Sequence, residues 1–159
     1  MTSSKSELRN RNHDEFKSLR YSALHSNPDF HDPKYISNRI QQAEGYRTQA
    51  KRDENEKDGF LSRAGYACIH AAYASIVIND IRAAAHCYKQ AVKSFKERTS
   101  DPFSHFDIND ANFYYSVLKQ EAAKRVLCNR RLRKLSFGLL GKVDKKVEGS
   151  VKWHSVTYP

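Results

Sequence analysis

The chain has 159 residues, 39% hydrophobic and 29% charged, with six Gly, four Pro and a net charge of +10. That is the size of one domain with a modest core, and the composition excludes collagen-like and disordered chains. The uncharged run from Ala64 to Ile78 spans 15 residues, short of the roughly 20 that cross a bilayer; no signal-peptide core follows Met1, so no membrane association is expected.

The charge is unevenly placed. Residues 1–60 hold 11 Lys/Arg against 10 Asp/Glu, residues 61–110 hold 6 against 5, and residues 111–159 hold 11 against 3. A one-sided basic segment on a balanced chain is the electrostatic footprint of a polyanion partner or an acidic protein surface, against the plainer reading of a basic tail kept for solubility. Cys68, Cys87 and Cys128 are odd in number, far apart and set in apolar helical patterns, where a free thiol acts as a small hydrophobe. A reduced, cytoplasmic environment is expected.

Residues 1–6 are small and polar and read as a flexible N-terminus. From Glu7 to His25, Phe16, Leu19 and Ala23 share a helical face, ending at Asn27-Pro28. Asp32-Pro33 predicts an N-cap followed by proline at the first helical position, and Ile36, Ile40, Ala43, Arg47 and Ala50 line one side of the helix that follows. Lys51 to Asp58 alternate in sign and belong in water; this second helix is expected to close at Asp58-Gly59.

A third helix, Phe60 to about Ile78, is apolar nearly all round, which means cover on several sides. Its alanines predict close approach by neighbouring helices. Asn79 and Asp80 can end it or cap the next. The fourth, Asp80 to about Arg98, is the clearest amphipathic segment: Ala84, Tyr88, Ala91 and Phe95 fall within roughly 60° of arc, and Arg82, His86, Lys89, Lys93 and Lys96 within roughly 80° on the opposite side. Thr99 to Asn109, with Asp101-Pro102, reads as a loop that Phe103 and Phe106 pin.

The fifth helix is expected from near Asp110 to about Leu135. Its first half is apolar and aromatic; in its second half Lys124, Arg125, Arg130, Arg131, Arg133 and Lys134 point in most directions, so that this end is expected to project into solvent, with cations at the negative end of the helix dipole. Beyond Gly138 and Gly141 the pattern fades, and a short hairpin across Glu148-Gly149 is consistent with the alternation at Val151 and Trp153. The fold class read from these elements is all-α: a single up-and-down helical bundle of about five helices over residues 7–135, with a basic, partly irregular tail at 136–159.

The string Ser62-Arg63-Ala64-Gly65-Tyr66-Ala67-Cys68-Ile69-His70-Ala71-Ala72-Tyr73, with Ala43-Glu44 ahead of it, resembles the second half of the first helix and the second helix of HEPN-type domains. About 45 residues are covered. The resemblance implies an up-and-down bundle, frequently a homodimer, of a kind found in RNA-cutting toxins, their inactive relatives and helical accessory domains. Catalytic members use an Arg followed four to six residues later by His, on a late helix with a polar residue after the Arg. Here Arg63 and His70 have six residues between them but lie on an early helix with Ala64 next, and Arg82 and His86 have only three. The match thus bears on the bundle more than on a nuclease. The Tyr66-to-Tyr73 and Ile81-to-Ala91 helices are also similar to one tetratricopeptide unit, but no second copy follows to complete a stack.

Arg63 and His70 are the only catalytic candidates, since an imidazole near a guanidinium can move protons near neutral pH; more often such a His is a satisfied core residue. His105 with Asp107, and His25 with His31 and Asp32, lack recognisable ligand spacing, and no phosphate loop or nucleophile motif is present. No metal and no cofactor are expected. The reading reached is a small basic module, without catalysis, binding RNA or another polyanion through its C-terminal third, with Lys124, Arg125, Arg130, Arg131, Arg133 and Lys134 as contacts and Arg82, His86, Lys89, Lys93 and Lys96 as further candidates. Tyr114, Tyr115, Trp153 and Tyr158 are available to stack on bases. The alternatives are a HEPN-like ribonuclease and an inhibitor or adaptor docking on an acidic protein.

Overall fold

A computed structural model describes the backbone of residues 5–99 and 104–144 and the side chains of residues 10–32, 34–99 and 107–131. It is helical, with no strand among the described residues: α1 (Lys5–Ser26), a short 3-10 turn (Pro28–His31), α2 (Pro33–Arg52), α3 (Lys57–Val77), α4 (Ile81–Lys96) and α5 (Ser104–Asp144). The chain divides into two units, Met1–Ala123 and Lys124–Pro159. The first is an up-and-down bundle that includes the opening of α5.

Helix α3 is its centre. It packs on α1, α2 and α4, and Leu61, Ala64, Ala67, Cys68, Ala71, Ala72, Ser75 and Ile76 are all buried. A helix lined with alanine exposes little apolar bulk of its own, so its partners come close and supply the large groups: Phe16 and Leu19 from α1, Tyr88 and Phe95 from α4, Val117 and Leu118 from α5. Gly65 marks the tightest point, because a Cβ there would land inside the Phe95 ring. Buried Ser75 returns its hydroxyl to the Ala71 carbonyl at 2.8 Å, so its own donor is met inside the apolar centre.

The ends follow local chemistry. Asn27 caps the 3-10 turn by accepting from the Asp29 amide, and Asp32 accepts from the Lys34 amide at 2.9 Å, with Pro33 at the first helical position. Between α3 and α4, Asn79 takes φ 68°; the Asp80 amide reaches the Ser75 carbonyl and the Asn79 amide the Ile76 carbonyl. This is a Schellman closure, one that favours Gly or Asn at the left-handed residue. Asp80 then caps α4 by accepting from the Ala83 amide at 3.0 Å.

Three boundaries differ from the sequence reading. Helix α2 stops at Arg52 and α3 starts at Lys57, so Asp58-Gly59 opens α3 instead of closing α2; the reason is Asp53, whose carboxylate accepts from the amides of Asn55 and Glu56 and turns the chain. Helix α5 begins at Ser104, not near Asp110. Its first-turn Asp107 suits the positive helix end and is held by Arg98 at 2.7 Å and by the Tyr66 hydroxyl at 3.0 Å. It also runs on to Asp144, past Leu135: the helical spacing of Leu132, Leu135, Leu139 and Val143 continues through Gly138 and Gly141, at about 1 kcal/mol for each glycine. The hairpin expected across Glu148-Gly149, and Trp153 and Tyr158, lie outside the described residues, as do the side chains of Phe103 and Phe106.

Candidate nucleic-acid interface

Helix α4 sorts its side chains by face. Ala84, Tyr88, Ala91 and Phe95 are buried, and Arg82, His86, Lys89, Lys93 and Lys96 are exposed. None of these four Lys and Arg forms an ion pair among the described residues, and His86 meets only Gln90, at 3.4 Å. The uncompensated cations are therefore a property of this helix face, set by its period of 3.6 residues.

The stripe borders a cleft of about 440 Å³ between α4 and the first part of α5, where Lys89, Lys93 and Lys96 face Asn112 and Tyr115 across a floor that includes Val92. Tyr115 is half-buried, packing on the core while lining the cleft. Its neighbour Tyr114 has another fate. It stands 5.8 Å from the Tyr88 ring and 5.3 Å from Phe113, and burial, more than its neighbour Tyr73, holds its hydroxyl above the usual range. Of the two tyrosines singled out from sequence, Tyr115 stands at the candidate interface and Tyr114 belongs to the core. Asn112 and Gln90, which also line the cleft, escaped the sequence reading. Asn112 was legible only once α5 was known to begin at Ser104 and to lie against α4.

The second cationic group falls in the other unit. Arg130 and Arg131 are exposed, Lys124 and Arg125 are half-buried and engaged with neighbours, and Arg133 and Lys134 are helical with side chains outside the described residues. The residues singled out from sequence thus belong to both units: the α4 stripe to the first, and Lys124, Arg125, Arg130, Arg131, Arg133 and Lys134 of α5 to the second.

Arg63 and His70 do not meet. Seven residues apart on α3, they share a side but stand roughly 10 Å apart along the axis; Arg63 lies over the Phe60 ring at 5.5 Å. The Nδ1 of His70 instead comes within 3.4 Å of the Tyr35 hydroxyl, beside Phe30. Burial, with the nearby Arg39 charge second, lowers its pKa from the ordinary 6.5. The thiol of Cys68 is raised by burial in spite of Arg47, and that of Cys87 is pushed up to about 12, chiefly by burial, so both are inert core groups.

Among the described residues no three His, Cys, Asp or Glu side chains are placed to hold a metal ion, and no helix is long and apolar enough to cross a membrane. Comparisons with known protein families, curated proteins and solved structures returned no match.

Proposed function

We propose that the chain binds single-stranded RNA, or another flexible polyphosphate, along the exposed face of α4 and in the cleft beside Tyr115. The observation that carries the reading is the pairing of cations at Lys89, Lys93 and Lys96, none of them in an ion pair among the described residues, with a half-buried aromatic on the wall of the same groove, while Arg82 continues the stripe along α4. Cations track the phosphates, and an aromatic face accepts any base. In the other unit, Arg130 and Arg131 are exposed and form a cationic group of their own, suited to phosphate.

The absorbance ratio at 260 and 280 nm of purified protein, before and after a high-salt wash, tests this directly: nucleic acid carried through purification and released by salt is the expected result. Tyr115→Ala should weaken binding of a labelled oligoribonucleotide by about tenfold, the value of one base stack, with the helical circular dichroism retained. A stoichiometric acidic protein in place of nucleic acid would overturn the reading.

A further inference from the structure

A second cleft, of about 340 Å³, opens on the other side of Lys93, and Arg47, Lys51, Lys57, Lys93, Glu54 and Glu97 bring all of its charge. Its volume lies at the low end of small-ligand sites. Four cations against two carboxylates leave two positive charges over, and Glu54 is already committed to Lys57 at 2.9 Å.

Arg47 is the unusual member. It is half-buried, and its partners are all neutral: Nε donates to the Ser94 hydroxyl at 3.0 Å, and Nη2 to the Gln90 carbonyl at 2.8 Å and to the Cys68 sulfur at 3.7 Å. Its Nη1 has no partner and its charge no carboxylate among the described residues. Removing a cation from water without a counter-ion is costly, and a guanidinium fixed through Nε and Nη2 is already oriented to offer its remaining donors.

We infer that this cleft is a subsite for a phosphate monoester, the terminal phosphate of the RNA held along α4, with Arg47, Lys51 and Lys93 as its donors. A monoester carries nearly two negative charges at neutral pH, matching the cleft's excess, whereas an internal phosphodiester carries one. Lys93 and Glu97 line both clefts, so a strand lying beside Tyr115 reaches the subsite at its end. This rests on the RNA reading above.

The test is fluorescence anisotropy with one oligoribonucleotide in three forms: 5′-phosphorylated, 3′-phosphorylated and unphosphorylated. One phosphorylated form should bind about tenfold tighter than the unphosphorylated strand, as a single charge-assisted contact would give. Lys51→Gln lies outside the Tyr115 cleft and leaves the Arg47 hydrogen bonds intact; it should abolish the preference while changing the affinity for unphosphorylated RNA by less than about twofold. Equal affinity for all three forms, or a preference that survives Lys51→Gln, overturns this inference alone. Failure of all three to bind overturns the RNA reading and the subsite together.

Discussion

Gly65 and Gly45 put opposite demands on one substitution. At Gly65 a methyl group collides with the Phe95 ring, while at Gly45, on the exposed side of α2, nothing lies within 4 Å. Gly65→Ala should therefore cost about 2 kcal/mol through overpacking, and Gly45→Ala should stabilise by roughly 0.5–1 kcal/mol through helix propensity; urea denaturation checks both. His70 adds a pH dependence. Because its folded pKa is lowered, chiefly by burial and then by Arg39, the unfolded chain takes up the proton first as pH falls. Its contribution is thus intact above the ordinary 6.5 and lost as pH drops through the folded value. The melting temperature should fall less between pH 7.5 and pH 5 in His70→Gln than in the parent, and a proton NMR titration placing His70 above 6.5 would contradict the assignment.

At the scale of elements, the α3–α4 corner rests on two adjacent residues with separate tasks. Asn79 closes α3 in the left-handed region and Asp80 caps α4. Asp80→Ala should cost about 1 kcal/mol, while Asn79→Gly should be neutral or slightly stabilising, as thermal unfolding of the two variants would register. This corner was legible in the sequence because its chemistry is local. So were the cap at Asp32, the buried face of α1 and both faces of α4, where the period of the side chains states which side meets water. The α2–α3 boundary was not, because alternating charge reads equally as exposed helix or as loop, and the Asp53 turn decided it. Nor was the start of α5, where Arg98, its side chain only 1% exposed, reaches Asp107 and Ser62; a buried guanidinium gives no signal in a hydrophobic pattern.

The first unit is held by a central helix whose small side chains let larger ones close in from the others, and that arrangement turns one face of α4 outward with its cations unpaired among the described residues. The faces could be read from periodicity. The clefts could not, because each needs to be told which helices are neighbours: Tyr115 meets the lysines only because the first part of α5 borders α4, and Arg47 reaches Ser94 only because α2 and α4 both pack on α3. The basic second half of α5 was visible as composition, but charge counted along a chain does not say that those residues fall in a separate unit.

The most direct measurement is the salt dependence of RNA binding by the parent protein and by a variant carrying Arg82→Gln, Lys89→Gln, Lys93→Gln and Lys96→Gln. Removing four phosphate contacts from a single strand should lower the slope of log affinity against log salt by up to about 3 while leaving the helical spectrum unchanged. An unaltered slope and affinity in that variant would contradict the account.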